Sequence, residues 1–182
     1  MLPATFPTMR ASFILTVIGP DRSGLVKAIA APVADHGGNW LESRMCRLGG
    51  QFAGILRVEV PADRADELAA SLGQLETSGL RVTLLREDTS PTASATAGTH
   101  VTLDAVGQDQ PGILRRVTAA LAARGLNIED LASERTDAPM GGGTLFKIRA
   151  RLTLPPDVPL DQVRADLEAI APDLMVELKP AG

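Results

Sequence analysis

Two short aspartate-bearing turns hold the residues best suited to chemistry. They are Gly19-Pro20-Asp21-Arg22-Ser23-Gly24 and Gly107-Gln108-Asp109-Gln110-Pro111-Gly112. Their glycines and aspartate recur in register, 88 positions on (19 to 107), and the pair Gly37 and Asn39 recurs at the same spacing as Gly125 and Asn127. A glycine turn that opens a helix presents unpaired backbone N–H groups and a partial positive charge, which suits a carboxylate or a phosphate. An aspartate beside it can hold an ammonium group, and an amino acid carries both charges. The plainer reading makes Asp21 and Asp109 turn-formers that hydrogen-bond their own backbone. Repetition together with Gly24 and Gly112 brings the two readings level. Asn39 and Asn127 also carry two readings, as amides that cap a turn or as donor and acceptor for a ligand.

Catalysis has little to stand on. His36 aligns with Arg124 and His100 with Ser12, so neither histidine recurs, and both read as solvated surface side chains. The chain holds no recognisable Ser/His/Asp set, no HExxH, no Cys/His metal cluster and no phosphate loop. The Gly141-Gly142-Gly143 run lacks the Lys-Ser/Thr ending that such a loop needs. Carboxylates such as Asp63, Asp66 and Glu67, or Asp161, Asp166 and Glu168, fall on predicted amphipathic helices and read as solvated faces. Cys46 is the only cysteine, so it forms no internal disulfide and reads as a small apolar strand residue. The reading is a non-enzymatic binder with no metal and no cofactor.

The elements around these turns follow from periodicity. Phe13, Leu15 and Val17 alternate with Ile14, Thr16 and Ile18, and Val101, Leu103 and Ala105 alternate with Thr102, Asp104 and Val106, so a strand precedes each turn. Leu25, Ile29 and Val33, and likewise Ile113, Val117 and Leu121, form one apolar helical stripe that ends at Gly37 or Gly125. Pro32 predicts a kink or an early end in the first of these helices. Two further strands follow, 41–48 and 52–60 joined at Gly49-Gly50, then 128–135 and 144–154 joined by a longer glycine loop. Helices over 62–75 and 159–170 and last strands over 80–85 and 174–178 complete each copy. The order βαββαβ is an α+β, ferredoxin-like arrangement, an antiparallel sheet with both helices on one face, present twice in tandem. The predicted boundaries are a loose tail over 1–10, a first domain over 11–87, a linker over 88–98 and a second domain over 99–182. Ile14 and Ile18 fall on the helix-free face. That face is therefore expected to meet the other sheet or a second copy of the chain, although Asp104 weakens the case in the second domain.

Composition narrows the partners. Of 182 residues, 45% are apolar and 22% charged, which is the balance of a soluble globular chain. A net charge of −4 and 3% aromatic residues oppose direct nucleic-acid binding. No segment has the length of a transmembrane helix or a signal-peptide core, so no membrane contact and a cytoplasmic location are expected.

The pattern Gly-x-Asp-x-x-Gly-[Leu/Ile] after the first strand, with Gly-x-Asn before the second, resembles the ACT domain, a regulatory fold that typically binds amino acids. Tandem copies, with Asn39-Trp40-Leu41-Glu42-Ser43-Arg44 leading to Leu48-Gly49-Gly50-Gln51-Phe52, are similar to the glycine cleavage system transcriptional repressor family. The resemblance spans about residues 11 to 180. It implies a regulator that modulates transcription of glycine cleavage genes by contacting a DNA-binding activator rather than DNA, with glycine as the signal. The alternative it leaves is a freestanding allosteric subunit that binds an amino acid and tunes a metabolic enzyme. By the same resemblance the ligand lies where the first turn of one copy meets the second strand of a paired copy. That carries the ligand-binding role to Asp21, Gly24, Leu25 and Asn39, and to Asp109, Gly112, Ile113 and Asn127. Two departures set the copies apart: Ser23 stands where the second copy has Pro111, and Trp40 where it has Ile128.

Overall fold

Strict alternation of buried and outward residues runs from Ala11 to Val17 and from Val101 to Ala105, as a half-buried strand requires. The structure, a computed structural model, describes residues 9–87, 98–139 and 142–181. Most of the expected tail and linker, and part of the 137–143 loop, lie outside the described residues. By their internal contacts Met1–Thr92 and Ala93–Gly182 are two compact units.

The first unit contains β1 (Arg10–Pro20), α1 (Leu25–Asp35), β2 (Asn39–Leu48), β3 (Gln51–Pro61), α2 (Ala65–Gly73) and β4 (Arg81–Arg86), with short 3-10 turns on either side of α2. The second repeats it as β5 (Thr99–Gln108), α3 (Ile113–Ala123), β6 (Asn127–Asp137), β7 (Thr144–Leu154), α4 (Leu160–Glu168) and β8 (Met175–Pro180). Each sheet is antiparallel, in the order β2-β3-β1-β4 and β6-β7-β5-β8. This is the expected α+β, ferredoxin-like fold, present twice.

Local chemistry accounts for the main boundaries. Gly49 and Gly50 both have positive φ, 57° and 76°, which matches a two-residue hairpin whose twist suits the strands. Leu48 pairs directly with Gln51 across it. Gly19 and Gly107 lie inside their strands rather than in the turns, because the ladder to β3 continues to Pro20 and that to β7 to Gln108. Pro32 neither shortens nor ends α1, which has the same 11 residues as α3. It sits in the last turn, so only one internal hydrogen bond is lost while Ile29 and Val33 on either side stay buried.

The cores match position for position. In the first unit Phe13, Leu15 and Val17 meet Leu56 and Val58 of β3, Leu25, Ile29 and Val33 of α1, and Leu68 and Leu72 of α2. In the second, Val101, Leu103 and Ala105 meet Ala150 and Leu152, Ile113, Val117 and Leu121, then Val163 and Leu167, with Ile148 adding bulk where the first unit has Gly54. Both helix-free faces carry ion pairs, Arg57–Glu87 at 2.8 Å on the first, but they differ in exposed aliphatic side chains. Ile18, Ile55 and Leu85 stand 47%, 48% and 67% exposed on the first. The second is covered by ion pairs, Arg149–Asp104 at 3.1 Å and Lys179–Glu177 at 2.6 Å among them.

Candidate functional site

The turn between β1 and α1 is built from the backbone outward. Asp21 donates its N–H to Gly50 O at 2.9 Å, which ties the turn to the β2–β3 hairpin, and Asp109 donates to Thr144 O at 2.8 Å in the same way. Gly24 and Gly112 precede the helices with φ of 90° and 79°, a left-handed conformation that side-chain-bearing residues rarely adopt. A Cβ at either glycine would meet nothing within 4 Å. Glycine is therefore required here for backbone handedness, and the turn is open.

Helix geometry leaves the first N–H groups of α1 and α3 without acceptors inside the helix. The copies differ here. Ile113 donates its N–H to Gln110 O at 3.1 Å and the Arg116 side chain donates to Gln110 Oε1 at 3.0 Å, whereas in the first unit Arg22 reaches away to Ser78 O. The Leu25 and Ile113 side chains are 4% and 3% exposed in the cores. They anchor the helix, and only their backbone faces the turn. Trp40 and Ile128, the second departure between copies, both pack against the cores.

Each turn also meets an arginine, from β2 or β6, that the sequence motifs do not single out. Arg47 Nε lies 2.7 Å from Asp21 Oδ2, and Arg135 Nε lies 3.1 Å from Asp109 Oδ2. The signal was available, because Arg47 and Arg135 keep the 88-residue spacing (47 to 135). The aspartate charge is thus already balanced by a guanidinium in both copies.

Asn39 and Asn127 are not at these turns. Asn39 pairs with Glu59, which pairs with Ser12, while the turn follows Pro20. Eight residues of ladder at ~3.3 Å each separate them by about 26 Å. Asn127 is displaced likewise, through Thr153 to His100 at the far end of β5. Within one unit the structure joins Asp21, Gly24 and the backbone of Leu25, or Asp109, Gly112 and the backbone of Ile113, and leaves the asparagine at the opposite end of the sheet.

The histidines are engaged locally. His36 Nδ1 donates to Pro32 O at 2.7 Å, since a carbonyl only accepts. His100 Nδ1 lies 3.1 Å from Glu129 Oε1, which also accepts from the buried Thr153 hydroxyl. The Thr153 hydrogen bond first, then the charges of His100 and Arg151, hold the Glu129 carboxyl below its ordinary value against the opposing cost of burial. A carboxyl with a lowered folded pKa adds stability above its unfolded pKa and loses it as pH falls through the folded one. Glu129→Gln is accordingly expected to flatten the acid limb of the second unit's stability below about pH 4. Denaturant unfolding at pH 3 to 7 checks this; an unchanged acid limb refutes it.

Among the described residues no three His, Cys, Asp or Glu side chains gather as metal ligands, and no helix is long and apolar enough to cross a membrane.

Family models described as the ACT domain match residues 11–83 and residues 101–171. The glycine cleavage system transcriptional repressor of Escherichia coli (strain K12) is 27% identical over 129 residues, covering 69% of this chain and 65% of the repressor. The chain thus spans just under two thirds of that relative's length. The acetolactate synthase small subunit of Mycobacterium bovis is 39% identical over 75 residues, or 40% of this chain and 39% of that subunit. Among solved structures, a protein from Galdieria sulphuraria superposes with a TM-score of 0.80 at 29% identity, covering 96% of this chain and 100% of that one.

Proposed function

Because this chain belongs to the ACT-domain family and carries the domain twice, we propose that it is an amino-acid-responsive regulatory protein that acts by contacting another protein and carries out no chemistry itself. The observation that carries this reading is the duplicated open turn, with left-handed Gly24 and Gly112, free space above them and helix-start amides beneath. The effector is a small amino acid such as glycine. Binding shifts an existing equilibrium between conformations, which requires only unequal affinity for the two. Exposed Ile18, Ile55 and Leu85 on one sheet face of the first unit support action by protein contact, since such patches mark contact surfaces.

The finer reading is control of glycine cleavage genes through a DNA-binding activator, supported by the similarity to the Escherichia coli repressor. A second reading rests on the match to the acetolactate synthase small subunit, and makes the chain a regulatory subunit of a metabolic enzyme. Calorimetric titration with glycine, serine and other small amino acids is expected to give saturable heat at millimolar concentrations or below. Silence with all of them removes the ligand-responsive part. Affinity capture from the source cell then separates the two readings, by whether the main partner is a DNA-binding protein or an enzyme.

A further inference from the structure

We infer that Arg47 and Arg135 are carboxylate receptors, each held through Nε by its loop aspartate so that its two Nη groups remain for a ligand at the turn. The inference rests on the amino-acid-responsive reading above and names the group that is recognised. In both copies the aspartate takes the arginine through Nε, at 2.7 Å and 3.1 Å, and among the described residues nothing else partners either side chain. A guanidinium has five donors in a planar fork, and occupying Nε leaves the paired Nη groups for a second, bidentate carboxylate. The exposures also agree between copies, 71% and 68% for the arginines and 32% and 31% for the aspartates.

Stability does not account for the duplication. An exposed ion pair contributes about 0–1 kcal/mol. An arginine tethered through Nε beside an open turn does suit a small carboxylate, because the aspartate limits where the guanidinium can go and leaves both Nη groups unpaired among the described residues. Asp21 and Asp109 are positioning residues in this arrangement, and the ligand's ammonium group is not what the turn selects.

The chemistry separates cleanly with three probes. Glycine carries both charged groups, acetate only the carboxylate, and glycinamide only the ammonium. Titration of the full chain is expected to show glycine and acetate competing for the same sites, with glycinamide failing to compete. The double variant Arg47→Met/Arg135→Met is expected to bind glycine at least about tenfold more weakly, the usual scale for losing hydrogen bonds to a charged group. Arg47→Lys/Arg135→Lys, which keeps the charge without the fork, is expected to lose most of the affinity as well. Asp21→Asn/Asp109→Asn is expected to weaken glycine and acetate by the same smaller factor with the midpoint of unfolding unchanged, whereas aspartates that bound the ammonium group would weaken glycine alone. Thermal unfolding controls for folding, since both arginines are exposed and their loss should leave the midpoint in place.

Glycine binding that is unchanged in the methionine double variant overturns the receptor role and leaves the amino-acid reading intact. Glycinamide competing while acetate does not overturns it too. No binding of acetate or of any of the small amino acids titrated above by the unmodified chain overturns both readings.

Discussion

Gly19→Ala is expected to lower the stability of the first unit by about 3 kcal/mol, whereas Gly107→Ala costs about 1 kcal/mol or less, within the range for overpacking. The two glycines occupy the same place in the two copies, yet their surroundings differ. A Cβ on Gly19 would lie 2.6 Å from Gly79 O and 3.2 Å from Leu80 Cα. Both are backbone atoms, and that backbone is held by Gly79 N–H to Glu76 O and Leu80 N–H to Leu75 O. Gly79 itself has φ of 83°, so the segment has little room to re-form elsewhere. At Gly107 nothing comes closer than Leu174 Cδ1 at 3.1 Å, with Asp173 Oδ2 and Leu174 Cα both at 3.4 Å, so no backbone atom crowds the position as Gly79 O does at Gly19. Equilibrium unfolding of the two variants decides the matter, and equal losses would show that backbone crowding does not govern these positions. The change also bears on the site, because Gly19 lies two residues before Asp21. Any shift that relieves the clash moves the turn.

Ile29→Ala is expected to cost about 3 kcal/mol, as for other fully buried large-to-small changes. Ile29 is 0% exposed and stands at the centre of the α1 stripe between Leu25 and Val33. Truncation removes contacts with the sheet and leaves a cavity that the flanking leucines fill only in part. Val26, one residue after the helix start and 47% exposed, is the control, and Val26→Ala is expected to change stability by less than about 0.5 kcal/mol. Urea unfolding distinguishes them. Similar effects at both sites would mean that α1 is not docked as the burial pattern indicates. Docking matters for function because α1 carries the open amides, so its seat on the sheet sets their direction.

Several features were legible in the sequence. The 88-residue repeat, the alternation from Phe13 to Ile18 and the apolar stripes ending at Gly37 and Gly125 located both units, both open turns and the helices behind them. The strand over 144–154 is legible to its ends, since the glycine loop precedes Thr144 and Pro155 follows Leu154. Boundaries were less clear where an antiparallel neighbour extends a strand. Gly19 and Pro20 read as turn residues because glycine and proline commonly make turns, but Phe52 and Gln51 of β3 hold them in the ladder. Pro32 read as a break, and the buried residues on either side carry the helix past it.

The candidate site was only half visible. Asp21, Gly24, Asp109 and Gly112 could be found because a glycine turn before a helix is a local pattern. Arg47 and Arg135 are not legible, although they recur, because nothing along the chain says that they face the aspartates 26 residues earlier. The sequence alone determined the duplicated α+β units and the position of each helix start, since periods of 2 and 3.6 residues, and the need for positive φ at glycine, act over a few neighbours. Only tertiary structure decided that Arg47 meets Asp21, that Asn39 lies at the far end of the sheet, and that Ile18, Ile55 and Leu85 gather on one outer face. Those outcomes depend on strand order and register, which bring together residues far apart in the chain and part others that a motif groups.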